Sequence, residues 1–194
     1  MIGLIQKLVL QMVEEIGGPE ALLEVKRRTS LPEEFEFRID TDYENEQMQQ
    51  ILENACAVLQ VSEEAALSAF ADYFLRDVRN RFPVFIAQAR TSRELLIHQT
   101  TIHNMLGSGL RNAEKLKAIN DKFQVIKHDN GDLEVLYRSP NQWCTLYRKL
   151  AEAVAELYQE NMTLSTIQCR KRGDQHCAFL LHWPEPVTLV KEQS

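Results

Sequence analysis

Two histidines on one predicted helix are the first candidates for chemistry in this sequence. His98 and His103 both lie in the segment SRELLIHQTTIHNMLGSGL, where apolar residues recur at helical spacing. A neutral imidazole on an apolar helix face can bind a metal such as heme iron, because the surrounding hydrocarbon holds a porphyrin and excludes water. The alternative is a histidine of the core or surface with no ligand role. Periodicity alone does not choose between the two positions.

Cysteines form the second group of candidates. Cys169 and Cys177 flank a predicted turn in CRKRGDQHC, and Cys144 lies early in the predicted helix that precedes it. The sequence contains no pattern typical of an export signal, so we expect a cytoplasmic protein whose thiols serve metal or redox chemistry more readily than structural disulfides. Cys56 lies on an apolar stripe and is interpreted as a buried, inert thiol.

Several classes of function are disfavoured by composition and motifs. The net charge of −6 has the wrong sign for a protein that binds a phosphate backbone, so we expect no nucleic-acid partner. No apolar run approaches the roughly 18 residues that span a bilayer, and we expect no membrane insertion. There is no Gly-rich phosphate loop, nucleophile elbow or HExxH motif. We therefore predict that the chain is not an enzyme.

The elements that position these residues change in character along the chain. Helical periodicity dominates the N-terminal half, including the segments around residues 2–16, 45–59 and 92–110. Gly17-Gly18 followed by Pro19 is predicted to end one helix and start another, and Ser62-Glu63-Glu64 can cap a further helix. Asn130-Gly131 then separates two β-leaning runs, which predicts a hairpin, and RKRGDQ separates a second such pair. A helix from Ser139-Pro140 to about Tyr158 lies between the two hairpins. The fold class is therefore α+β, with a helical N-terminal part.

Several segments, taken in order, resemble the H-NOX (heme nitric oxide/oxygen-binding) family, in its bacterial stand-alone type. They are MIGLIQKLVLQMVEE, TDYENEQMQQIL, AFADYFL, IHNML and LYRSP. The resemblance implies one domain over residues 1–183, with an N-terminal helical subdomain (1–60), a proximal helix and sheet subdomain (61–183), and a tail at 184–194. It also implies a C-terminal antiparallel sheet of hairpins with an intervening helix, and heme b as the cofactor.

The same resemblance assigns the heme ligands. The family's iron-binding histidine precedes a Tyr-x-Ser-x-Arg motif at a spacing that selects His103, with His98 as the fallback. The motif residues hold the heme propionates, and here they are Tyr137, Ser139 and Asn141, so the motif arginine is replaced by an amide. A guanidinium binds a carboxylate with two charge-assisted hydrogen bonds that an amide cannot match. The nearby cations that could replace it are Arg138, Arg148 and Lys149.

Ligand selectivity is predicted from the distal side of the pocket. Family members that bind O2 use a distal tyrosine, and the matching position here is Leu146. An apolar wall leaves O2 without a hydrogen-bond donor and favours nitric oxide and CO, although Tyr147 is adjacent and could supply one. The predicted heme pocket wall consists of Ile5, Val9, Phe74, Leu146 and Leu150.

The resemblance also implies a zinc site. A subset of bacterial H-NOX proteins carries one, and the cysteines of this chain match it. Cys144, Cys169 and Cys177 occupy three of its positions, and the fourth position is Thr166. Tetrahedral zinc needs four donors, so His176, His182 or water would complete the site. The alternative is that the thiols act as a redox pair or remain free.

The resemblance implies a heme-based gas sensor that binds nitric oxide, not O2, and signals to a separate partner protein. That partner would be a histidine kinase or a cyclic-di-GMP enzyme. The alternative is a redox- or zinc-responsive regulatory module with the H-NOX fold and weak or no heme binding. A third possibility is a fold that binds another hydrophobic ligand or only a protein partner.

Overall fold

The computed structural model describes residues 3–39, 41, 43–107, 121–139 and 143–184. Within these ranges five helices come first: α1 (Gly3–Arg28), α2 (Asn45–Leu59), α3 (Glu63–Arg81), α4 (Pro83–Ala87) and α5 (Ser92–Gly107). They are followed by β1 (Phe123–Lys127), β2 (Leu133–Tyr137), α6 (Cys144–Leu157), β3 (Thr163–Gln168), a 3-10 turn (Arg170–Arg172) and β4 (Cys177–His182). The α+β class is confirmed. None of the helices in the described ranges is long and apolar enough to cross a membrane.

The first helices begin and break where the sequence predicts. Within α1, Gly18 adopts φ 77°, which interrupts the helix, and Pro19 follows in the first turn of the next helical stretch. The side chain of Ser62 accepts a hydrogen bond from the backbone amide of Ala65 at 3.2 Å and so caps α3. Both signals are local, which is why they could be read from the sequence.

The four strands form one antiparallel sheet in the order β1-β2-β4-β3. Both predicted hairpins are confirmed, and Gly131 has φ 90° in the first turn. The two hairpins join through β2 and β4, where Tyr137 lies opposite Cys177. This pairing places the end of β2 beside the turn between β3 and β4.

Two hydrophobic clusters make up the described core. The first joins α1, α2 and α3, with Leu146 from α6. The second joins the sheet to α5 and α6. Phe74 of α3 and Leu150 of α6 pack against both clusters, so the boundary between them runs along these two side chains.

The helix between the hairpins begins later in the described part of the chain than predicted. Its N-cap is Trp143 and its first residue is Cys144, whereas the prediction began at Ser139-Pro140. Residues 140–142 lie outside the described ranges, as do residues 108–120 and the predicted tail from residue 185.

Candidate functional site

His103 faces the sheet from the last turns of α5. Its ring lies edge-on to Phe123 of β1, with centroids 5.0 Å apart and an angle of 79° between the planes. His103 is half-buried, whereas His98 on the same helix is exposed. An imidazole held against an apolar sheet face is suited to bind a metal from the protein interior, and only His103 of the two has that placement.

Two of the three predicted motif residues lie together near Phe123, the ring that contacts this histidine. Tyr137 stacks on Phe123 with centroids 5.1 Å apart, so one phenyl ring separates it from His103. Burial raises the pKa of Tyr137 well above its ordinary value, although a hydrogen bond with Ser139 acts in the opposite direction. Ser139 is only 2% exposed. The third position, Asn141, lies outside the described residues.

The predicted wall residues converge on the first core cluster. Val9 and Leu146 are buried in it, and Ile5, Phe74 and Leu150 pack against it. Tyr147, by contrast, stacks with Tyr137 and Phe179 in the second cluster. Neighbouring positions on α6 thus face different clusters, and the tyrosine lies on the side of the sheet rather than with Val9.

Gln6 of α1 is a buried polar residue that the sequence analysis did not single out. It is completely buried, and neither end of its amide has a hydrogen-bond partner among the residues that the structure describes. A buried amide without partners is costly, by roughly 1–3 kcal/mol. The available signal was its position one turn before the apolar residues Val9 and Leu10 on α1.

Arg170 is the second functional candidate that sequence reasoning missed. One guanidinium nitrogen donates a hydrogen bond to the backbone carbonyl of Ser139 at 2.9 Å. The three cations considered from the sequence are engaged elsewhere. Arg138 bonds Gln124 on the exposed side, and ion pairs link Arg148 and Lys149 to Glu64 and Glu152.

The three predicted metal-ligating cysteines meet at one end of the sheet. The Sγ atoms of Cys144, Cys169 and Cys177 lie within 4.8 Å of one another, and the first two are 3.7 Å apart. Zn–S bonds of about 2.3 Å in tetrahedral geometry require sulfurs at about this separation. Cys56 is not among them; it is half-buried against the N-terminal core.

The thiols have unequal acidity. Burial raises the pKa of Cys144, and burial raises the pKa of Cys177 to about 11. For Cys169, burial acts to raise the pKa, but hydrogen bonds from the Lys171 backbone and the other two thiols lower it overall. The thiolate would therefore form first at Cys169.

A fourth zinc ligand is restricted by the strands. His182 lies at the opposite end of β4 from Cys177, and its Nδ1 contacts the Asp132 carboxylate at 2.7 Å. His182 is therefore too far from the three cysteines to share a zinc ion with them, and its ring already contacts Asp132. The prediction that His182 could be the fourth ligand is wrong. Thr166 pairs with Phe179 in β3. His176, next to Cys177 and half-buried, remains.

One cleft among the described residues is separate from the His103 region. It has a volume of about 620 Å³ and opens between α2 and the start of α6, where Cys56, Trp143 and Lys171 contribute to its lining. No predicted wall residue lines it. We assign it no ligand.

The donor set around His103 fits an iron porphyrin. An imidazole can bind the metal, the hydroxyls of Tyr137 and Ser139 can bind carboxylates, and the hydrocarbon at the cluster boundary suits a macrocycle. A polar ligand group in this core could satisfy the amide of Gln6, which has no partner within the described ranges.

The chain belongs to the Haem-NO-binding (HNOB) family, whose sequence model matches residues 2–166. Proteins of this family bind heme and act as gas sensors that signal to partners, rather than as enzymes themselves. No curated protein matches the chain at significant similarity.

Solved H-NOX structures share the fold. An H-NOX protein from Shewanella oneidensis in the Fe(II)NO ligation state is 16% identical, with a TM-score of 0.75, covering 95% of this chain and 99% of that one. An oxygen-binding H-NOX domain related to soluble guanylate cyclases is 13% identical, with a TM-score of 0.78 and 100% coverage of both chains. The predicted H-NOX fold is confirmed.

Proposed function

We propose that this protein is a heme-based gas sensor in which His103 binds the iron. The observation that supports the proposal is the run of ring contacts from His103 through Phe123 to Tyr137, because it links the candidate metal ligand to a residue of the candidate carboxylate-binding motif. When bound, heme supplies the iron that takes up a diatomic gas. The chain itself has no catalytic role in this proposal.

Each residue of the site has a defined task. Tyr137, Ser139 and Asn141 are the positions that hold the propionates. The wall formed by Ile5, Val9, Phe74, Leu146 and Leu150 packs against the macrocycle and excludes water.

We propose nitric oxide, with CO as a second ligand, rather than O2 as the physiological gas. Leu146 is buried among apolar side chains of the first cluster and offers no hydrogen bond. Tyr147, the tyrosine adjacent to Leu146, is held among the aromatic rings of the second cluster. Bound O2 depends on a donor more strongly than nitric oxide does, which favours nitric oxide here.

The signal would leave through α5 because this helix carries His103. The N-terminus of α5 is firmly attached: Ser92 donates from its backbone and hydroxyl groups to Glu160, and Trp183 donates to the Ser92 hydroxyl at 2.8 Å. Arg93 also bonds the carbonyl of Gly131 in the hairpin. A movement that starts at His103 would therefore displace mainly the C-terminal end of α5.

The receiver is a separate protein in this proposal, a histidine kinase or a cyclic-di-GMP enzyme. We place both in the cytoplasm, where cysteine thiols stay reduced.

Absorption spectroscopy of heme-reconstituted protein tests the proposal. We expect wild type to show a Soret band that shifts when nitric oxide is added anaerobically after reduction. His103→Ala should lose the specific band. His98→Ala is the matched control, because this histidine is exposed on the same helix, and it should retain the wild-type spectrum. Absence of specific heme uptake by wild type would refute the sensor.

A second candidate function, zinc- or redox-responsive regulation, is favoured by the convergence of the three thiols. In the zinc form, Cys144, Cys169 and Cys177 supply three sulfur ligands, and His176 or water supplies the fourth. In the redox form, hydrogen peroxide would take two electrons and two protons from Cys144 and Cys169, giving one disulfide bond and two water molecules.

Metal analysis separates these forms from inert thiols. We expect about one zinc per chain in protein purified under reducing conditions, lost in Cys169→Ser and retained in Cys56→Ser. Zinc-free wild type that forms no Cys144–Cys169 disulfide with peroxide would rule out both forms.

A further inference from the structure

Ser139 and the turn after β3 are neighbours only in the folded chain. Tyr137 lies opposite Cys177 in the β2–β4 ladder, so the residues that follow Tyr137 run alongside those that precede Cys177. Arg170 belongs to this preceding turn. Its guanidinium reaches across to the backbone carbonyl of Ser139 at 2.9 Å, although 31 positions separate the two residues.

The turn holds Arg170 in place through its backbone. The amide of Arg170 donates to the sulfur of Cys177 at 3.4 Å, and its carbonyl accepts from the amide of Gly173 at 3.0 Å. Asp174 accepts from the amide of Cys169 at 2.7 Å and closes the loop. The side chain therefore projects from a turn that is anchored at both ends.

The charge of Arg170 is not neutralised by the part of the protein that the structure describes. No carboxylate in the described ranges pairs with it, whereas the neighbouring acid Asp174 is occupied by the backbone of Cys169. A guanidinium has five N–H donors in a planar fork, so the bond to Ser139 leaves several of them available for an anion. The half-buried position strengthens attraction to such an anion relative to bulk water.

We infer that Arg170 supplies the carboxylate-binding guanidinium that the motif lacks at Asn141, and so holds a propionate of the ligand together with Tyr137 and Ser139. This inference rests on the proposed heme function. The cation that binds the carboxylate would then come from the turn between β3 and β4, because the sequence motif itself contains no cation at its third position.

Heme affinity in three variants tests this role. Arg170→Ala should weaken heme binding by about 10-fold to 100-fold, the amount expected for loss of a charge-assisted contact. Arg170→Lys keeps the charge but not the planar fork of donors, so its heme affinity should lie between those of wild type and Arg170→Ala. Arg172→Ala is the matched control on the same turn, since Arg172 is exposed, and should bind as wild type does. Adding Asn141→Arg to Arg170→Ala should restore affinity.

The dimethyl ester of heme distinguishes a carboxylate contact from a structural effect. With both carboxylates capped, wild type and Arg170→Ala should bind the ester equally, and their thermal melting should agree. Equal loss of affinity for heme and ester would show that Arg170 acts only on the fold and would overturn the inference. Unchanged heme affinity in Arg170→Ala would overturn it while leaving the sensor intact. Failure of wild type to bind either compound would remove the sensor and this inference together.

Discussion

Individual polar side chains, Gln6 and Arg170, occupy positions in this protein that hydrophobic packing alone does not explain. Gln6 is fully buried, and neither end of its amide has a partner in the part of the chain that the structure describes. Burial of polar groups without partners opposes folding, so such a residue in an apolar helix face is more readily explained by ligand binding than by stability. Arg170 illustrates the opposite case, a charged side chain whose position is defined by its bond to Ser139.

Replacing Gln6 by leucine should stabilise the heme-free form of the protein. Leucine has a similar size and removes both orphaned groups, so we expect the free energy of unfolding to rise by about 1–3 kcal/mol. Urea denaturation of the apoprotein measures this change. Gln50→Leu on the exposed face of α2 is the control and should change stability by less than about 0.5 kcal/mol. A less stable Gln6→Leu protein would show that the amide has a partner after all.

At the scale of elements, the far end of the sheet is fastened to the hairpin by charged and polar groups. His182 of β4 contacts Asp132 at 2.7 Å, and Asn130 donates to the same carboxylate at 2.9 Å. The hydrogen bond to His182, followed by that to Asn130, lowers the pKa of Asp132. The β1–β2 turn is thereby held against the end of β4, next to the attachment of α5.

The Asp132 contact predicts a defined pH dependence. A carboxyl group whose pKa is lowered by folding stabilises the protein fully at pH values above its pKa in the unfolded chain, which is about 4. That contribution is lost as the pH falls through the lower pKa of the folded protein. Asp132→Asn should therefore melt below wild type at pH 7, and the difference should narrow below about pH 4. Thermal melts across this range provide the measurement. A difference that stays constant with pH would contradict the assignment.

For the whole molecule, the boundary between the two hydrophobic clusters is the decisive region. The predicted pocket wall lies on or against the first cluster, whereas the Tyr137 and Tyr147 rings belong to the second. Phe74 and Leu150 contact both. A ligand at this boundary would touch both halves of the protein, which is a physical basis for transmitting binding to the overall conformation.

Truncation at the boundary should weaken the fold and the ligand site together. Phe74→Ala removes a side chain shared by both clusters and should cost about 2–4 kcal/mol of unfolding free energy. It should also reduce heme retention, measured by the Soret absorbance after gel filtration. Ile16→Ala, at a position 55% exposed, is the control for a hydrophobic truncation away from this boundary. Retention of heme equal to wild type would place the ligand elsewhere.

The sequence by itself determined the elements and the residue types of the site. The break at Gly18, the cap at Ser62 and the turn at Asn130-Gly131 depend on neighbours within a few positions, so their local chemistry was sufficient. The resemblance selected His103 and the cysteine triad, and the folded chain brings the three thiols together.

Only the tertiary structure decided which distant groups meet. The β2–β4 pairing puts Arg170 on Ser139, while the extended length of β4 separates His182 from the cysteines. Helix α6 likewise turns Leu146 and Tyr147 toward different clusters. Strand pairing joins residues far apart in sequence, and its register depends on the packing of the whole core, so no local pattern could have revealed these contacts.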